Sequence, residues 1–291
     1  MTPPKIISSN KYIRQLYLAY QKLIRLFVPV EFISFSSISQ NKNSNRLYAF
    51  GSGSSLCDYT EDMWNKVSSH DSIGFNFFFL HKHVPSYYVS EASLDLDNMH
   101  KIFSNFALLE TEYDSTVKLW KEDIVSYVFR RQVMSAGASY VKSVPFDCRS
   151  KCQLSSKILK NIKSLQLRRE SNALSVCSQG STLDWIIDFA LLLGYEELIL
   201  CGFDLIDSQY FYNTERCVEA LRKDLLKPVN ALKNISLLHS TNDPARCFGG
   251  ISAIEVVKVY ANELPRSGLS IFSPSDNSVL SAVFPTHDWN S

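Results

Sequence analysis

The sequence predicts an α/β protein, a mainly parallel sheet flanked by helices. Two patterns carry this: short apolar runs recur along the chain, and helix-spaced stretches separate several of them. Arg46–Phe50 reads as a strand, followed by the glycine-rich turn Gly51-Ser52-Gly53-Ser54-Ser55. Ser72–Leu80 and Ser86–Val89 are further apolar runs, and residues 97–128 read as mostly helical. Ala173–Cys177 is a strand. The helix after it, Ser181–Leu193, has the apolar stripe Leu183, Ile186, Ile187, Ala190 and Leu191, and Gly194 suits its C-terminal cap. Leu198–Phe203 reads as a buried strand, residues 208–230 as a loop and then a helix, and Ile235–Leu238 and Leu269–Phe272 as late strands.

The chain has 291 residues, 45% hydrophobic, 20% charged and 12% aromatic. That composition supports a full core and argues against disorder. Net charge is +1, so the whole molecule is not built to bind nucleic acid. Residues 1–46 nevertheless carry seven basic residues against Glu31. Within 11–27, Ile13, Leu16, Tyr17, Tyr20, Ile24 and Phe27 share one helical face, with Lys11, Arg14, Lys22 and Arg25 opposite. Such a helix either packs by its apolar face or lies on an anionic membrane. The polar stretch 41–46 reads as a linker, dividing an N-terminal extension (1–45) from a single domain (46–291). Seven cysteines, an odd number, argue against a closed disulfide framework and for a reducing cytosol. Cys148 and Cys152 lack the second ligand pair a structural zinc needs. No apolar stretch is long enough to cross a bilayer, and no signal-peptide pattern opens the chain.

Four motifs could carry chemistry. Gly51-Ser52-Gly53-Ser54 after a strand permits a tight turn that offers peptide N–H groups to a phosphate. It is neither a complete dinucleotide fingerprint nor a Walker loop. Gln179-Gly180-Ser181-Thr182 places hydroxyls at a helix start, where Ser181 could also be a plain N-cap. Gly202-Phe203-Asp204 ends a buried strand, where open α/β sheets bind ligands. His239, in His239-Ser240-Thr241-Asn242, has the side chain whose pKa suits proton transfer near neutrality. Asp95-Leu96-Asp97 has the DxD form of metal-dependent glycosyltransferases but follows no clear strand.

In this order the motifs resemble those of the bacterial lipooligosaccharide sialyltransferases and their relatives that handle CMP-activated nonulosonic acids or Kdo. The resemblance runs over roughly 46–283. It is carried by Gly51–Leu56, Gly74-Phe75-Asn76-Phe77, Ser181-Thr182, the block Leu193–Asp204, Tyr210 and Tyr212, His239–Asn242 and Asn277–Leu280. It implies a Rossmann-like domain of the GT-A-like sialyltransferase variant, with a lid within about 205–240. It further implies an inverting transfer from a CMP donor with no metal and no cofactor. His239 would be the base on the acceptor hydroxyl, and Tyr212, with Tyr210 in reserve, would stabilise the departing phosphate. Asn76, Ser181, Thr182, Gly202 and Asp204 would hold the donor, together with Gly51, Ser52, Gly53, Ser54, Ser90, Gln179, Gly180 and Phe203. Four positions depart from the family pattern: Ser52 and Ser90 replace asparagines, Gln179 an arginine and Ile206 a tyrosine. The implied partners are a CMP-activated acidic sugar and a glycan or lipid-linked glycan acceptor at the cytoplasmic face of the inner membrane. Self-association into a homo-oligomer stays open. So do three rival readings: a metal-dependent UDP-sugar transferase using Asp95 and Asp97, a non-catalytic nucleotide-binding subunit, and a pterin pyrophosphokinase-like enzyme.

Overall fold

A computed structural model describes residues 30–91, 95–122, 128–205, 210–227 and 247–290. Eight strands form one sheet: β1 (Arg46–Phe50), β2 (Asp71–Phe75), β3 (Tyr87–Ser90), β4 (Val117–Lys121), β5 (Ser139–Pro145), β6 (Ser175–Ser178), β7 (Glu197–Cys201) and β8 (Ser270–Phe272). All pair in parallel, in the order β6-β5-β4-β3-β2-β1-β7-β8. The chain steps outward from β1 to β6, then returns to lay β7 on the other side of β1. The strand order therefore reverses between β1 and β7, the point at which such sheets open a crevice beyond their carboxyl ends.

The helices, in chain order, are α1 (Phe35–Ser39), α2 (Glu61–Ser68), α3 (Leu96–Leu108), α4 (Arg130–Ser135), α5 (Lys151–Lys163), α6 (Leu165–Arg169), α7 (Thr182–Leu193) and α8 (Ala253–Glu263). Side chains alternate across the strands, so the sheet feeds two cores. Leu47, Ala49, Ile73, Leu198 and Leu200 point into an aliphatic core with α5, α7 and α8. Tyr48, Phe50, Tyr88, Trp120, Ile199 and Cys201 point into an aromatic core with Phe78, Phe79 and Phe211. Helix α7 is buried along its whole length after Thr182. It starts in a capping box of Ser181 and Asp184, and it ends at Gly194, whose φ of 71° is the left-handed cap expected of glycine.

The structure corrects several sequence expectations. Residues 97–128 are not one helix: α3 stops at Leu108, and Val117–Lys121 is an interior strand. The run 72–80 is a strand only to Phe75, because Asn76, at φ 53°, turns the chain into a 3-10 helix. Residues 210–221 form 3-10 turns (Phe211–Asn213 and Glu215–Ala220), not an α-helix. The linker reading of 41–46 fails. Lys42 Nζ donates to Gly194 O (2.7 Å), and the peptide N–H groups of Asn43 and Ser44 donate to the Asp71 carboxylate (2.9 and 3.1 Å). Residues 30–45 belong to the packed body, since Ile33 bonds through its backbone to both Tyr140 and Leu174. Cys57 and Cys217 form a disulfide, so these two cysteines are not free, and the cysteine count carries no information about compartment. The proposed helix 11–27 and the strand 235–238 lie outside the described residues. Among the described residues, no helix is long and apolar enough to cross a membrane.

Candidate functional site

A cleft of about 200 Å³ opens at the carboxyl edge of the sheet, over the β1/β7 reversal. Its walls come from five loops. Gly51, Ser52 and Gly53 follow β1; Phe75 and Asn76 close β2; Glu91 follows β3. Ser181, Thr182 and Leu183 open α7, and Gly202, Phe203, Asp204 and Leu205 follow β7. Tyr210 and Ala253 complete the lining.

The glycines have a local physical reason. The β1 and β7 loops lie against each other, with Gly51 N donating to Cys201 O (2.7 Å) and Gly53 N to Gly202 O (2.8 Å). A Cβ on Gly51 would meet Gly202 O at 2.1 Å, and one on Gly53 would meet the Asp204 carboxylate. Gly202 sits at φ 68° against Leu56. These glycines therefore let two loops interlock. Asp204 completes the junction: its carboxylate accepts from Ser55 N (3.0 Å) and from the Ser55 hydroxyl. Ser54 opens the adjoining 3-10 helix without lining the cleft.

Two lining residues, Asn76 (φ 53°) and Leu205 (φ 56°), hold left-handed backbone without being glycine. Such strain persists where surrounding structure enforces it, and it concentrates at functional sites. Tyr210 is held by a bridge to Gly53 and by the neighbouring bond from Phe211 N to Ser52 O (3.0 Å). Its ring stacks on Tyr212 (5.1 Å, 9°). Tyr212 is buried behind it against Phe77, and burial pushes both phenols above their usual pKa.

The hydroxyl pair divides in role. Ser181 is spent as the helix cap, its hydroxyl on Asp184, whose pKa is raised by burial and held back by these hydrogen bonds. The Thr182 hydroxyl accepts from Lys121 Nζ (3.2 Å). Gln179 does not line the cleft: its buried carboxamide bonds both the N–H (3.2 Å) and the carbonyl (2.6 Å) of Cys148. Gly180 (φ 143°) is exposed beside the lining, and Ser90 is buried at the end of β3. His239 lies outside the described residues, as does Ile206. Asp95 caps α3, accepting from Asn98 N (3.1 Å), and neither it nor Asp97 lines the cleft.

Sequence reasoning missed Glu91 and the lysine behind it, Lys121. The signal was present: charged residues close the apolar runs Tyr87–Ser90 and Leu119–Trp120. Only the β3/β4 register, Ser90 opposite Trp120, makes the two neighbours.

No family model and no curated protein matches the chain. Solved structures do. The monofunctional alpha-2,3-sialyltransferase Cst-I from Campylobacter jejuni is similar at 13% identity and a TM-score of 0.46, over 85% of this chain and 82% of that one. The sialyltransferase CstII from Campylobacter jejuni, in complex with CMP-3FNeuAc, is similar at 12% identity and 0.46, over 84% and 86%. The CST-II complex with trisaccharide acceptor and CMP is similar at 12% and 0.44, over 84% and 88%. What this chain does is read from its own residues.

Proposed function

We propose that this protein is an inverting glycosyltransferase that moves an acidic sugar, sialic acid or a related nonulosonic acid or Kdo, from a CMP donor to a surface-glycan acceptor. One observation carries the reading. The loops after β1, β2 and β7, the start of α7 and Tyr210 converge on one crevice at the strand-order reversal, and these are the segments whose motifs resemble the CMP-dependent transferases.

The chemistry is consistent with a nucleotide donor. The capping box satisfies the Asp184 N–H, and the dipole at the start of α7 favours a phosphate beside Thr182 and Leu183. The Asn76 carboxamide and the Tyr210 hydroxyl add neutral donors. In the proposed reaction the acceptor oxygen bonds to the anomeric carbon. The bond from that carbon to the phosphate oxygen breaks, and CMP leaves with the electron pair. The acceptor proton passes to His239. Tyr210, high in pKa and therefore protonated, donates to the departing phosphate, the task a metal performs in other transferases, and Tyr212 stacks behind it to hold its ring. The catalytic domain would include the packed residues 30–45 together with 46–291, and residues 11–27 would hold it at an anionic membrane.

The test is a thermal-shift series with CMP, UDP, GDP and ATP, followed by transfer assays. Ligand that binds only the native state at about 100 times its Kd adds ~2.7 kcal/mol, so CMP should raise the melting temperature by several degrees and the others should not. His239→Ala should keep this CMP response and lose about 10²–10⁴-fold in transfer. A response to UDP alone, with transfer abolished by a chelator, would replace this reading with the metal-dependent one. Full activity of His239→Ala would remove the assigned base.

A further inference from the structure

The cleft lining, as described, carries two carboxylates, Glu91 and Asp204. They differ in what they have left to offer. Each oxygen of Asp204 accepts a bond from Ser55, so it works as an internal clasp between two loops. Glu91 is anchored from behind. Its Oε2 accepts from Lys121 Nζ (2.9 Å), while its side chain remains 44% exposed in the cleft. Lys121 is almost enclosed: its side chain is 11% exposed, its ammonium also bonds the Thr182 hydroxyl, and it lies 5.7 Å from the centre of the Trp185 ring. The ammonium beside it holds the Glu91 carboxyl below its ordinary pKa. An ionised carboxylate is acceptor-only, with about four lone-pair sites, so several remain for a ligand.

This arrangement excludes one role and fits another. The only charge Lys121 brings is already balanced by Glu91, so this wall is not a receptor for an anionic group. A fixed, half-exposed carboxylate is suited to hydroxyl donors. We infer that Glu91 is a substrate-binding residue that accepts hydrogen bonds from hydroxyls of the ligand, either of the nucleotide's ribose or of the transferred sugar, and that Lys121 is its positioning residue. The inference rests on the donor reading above and deepens it.

Calorimetric titration of the full chain tests it with three probes: CMP, 2′-deoxyCMP and CMP-N-acetylneuraminate. A hydroxyl-to-carboxylate hydrogen bond is charge-assisted, so Glu91→Gln should weaken binding by about 10- to 100-fold. If the ribose is the source, that loss appears with CMP, and with 2′-deoxyCMP it disappears when the bound group is the 2′-hydroxyl and persists when it is the 3′-hydroxyl. If the sugar is the source, it appears only with CMP-N-acetylneuraminate. Lys121→Arg should preserve affinity by keeping the ion pair, whereas Lys121→Met should lose part of it, a rescue that a merely structural lysine would not show selectively for the hydroxyl-bearing probe. Melting temperatures verify folding, and Glu91→Ser serves as the second variant should Glu91→Gln be unstable. Wild-type affinity of both Glu91 variants for all three probes overturns the inference. Failure of the wild-type protein itself to bind any probe is a separate result: it removes the donor reading, and this inference with it.

Discussion

The two faces of the sheet bury their side chains by different means. The aliphatic face is covered by helices α5, α7 and α8, and its buried charge is compensated. Asp188, fully buried, accepts from Arg168 (2.6 and 3.1 Å), from Asn161 and from the Cys177 N–H (2.6 Å). The aromatic face, in the stretch opposite β1, is closed by 3-10 turns and by a cluster in which imidazoles do the work of hydrocarbon. His81 stacks on Trp64 (4.4 Å) and Phe78 (5.4 Å), His83 packs on Phe50 (5.4 Å), and His287 packs on Tyr48 (5.8 Å) and Trp289 (4.8 Å). Of the two, the aromatic face is the one that buries imidazoles. What a face buries therefore bears on its robustness as much as how completely it is buried.

The largest test of this difference is acid. Burial lowers His81 to about 3 and His83 and His287 to about 4, from the ordinary 6.5. Between those limits the unfolded chain binds more protons than the folded one, so stability is complete above 6.5 and falls as pH drops toward 3–4. At pH 4.5 each suppressed histidine costs on the order of 2–3 kcal/mol. Together they remove a sizeable part of a domain's stability. The urea midpoint should therefore fall steeply from pH 7 to 4.5, with Trp64 and Trp289 reporting. A flat midpoint would make the two faces equivalent.

On the aliphatic face the sensitive point is the ion pair. Asp188→Ala leaves the Arg168 guanidinium, which Asp188 holds in its charged form, buried without a counterion, at a cost of about 3–5 kcal/mol at neutral pH. A urea midpoint within error of wild type would show that the pair is dispensable. The smallest expected effect returns to the aromatic face. Cys57–Cys217 ties the 3-10 helix after the glycine turn to the segment that carries Tyr210 and Tyr212. Cys217→Ser should cost ~2–4 kcal/mol, and a dithiol reductant should destabilise the wild type to the level of that variant. If reductant leaves the melting curve unchanged, the bond contributes nothing to holding this edge of the cleft.

How legible each part was follows the same division. Strands β1 and β7 and helix α7 read correctly because burial on both sides, or an unbroken apolar stripe with a glycine stop, writes itself as local pattern. Strand β4 read as helix, since Val117–Lys121 mixes lysines with apolar residues and its burial comes from neighbours distant in sequence. In the cleft, the glycine turns, Asn76, Thr182 and Tyr210 were legible as motifs, whereas Gln179 looked like a ligand contact and is consumed by the Cys148 peptide.

By itself, the sequence determined the parallel α/β architecture and which loops carry the polar and glycine-rich motifs, because periodicity, caps and turns are local properties of the chain. Only the tertiary structure decided which of those polar groups remain free. Asp204 is satisfied by Ser55, Ser181 by Asp184 and Gln179 by Cys148, and Glu91 faces the cleft braced by Lys121. Each outcome depends on partners brought together by strand register and loop packing, and a hydrogen-bonding group has no role until its partner is known.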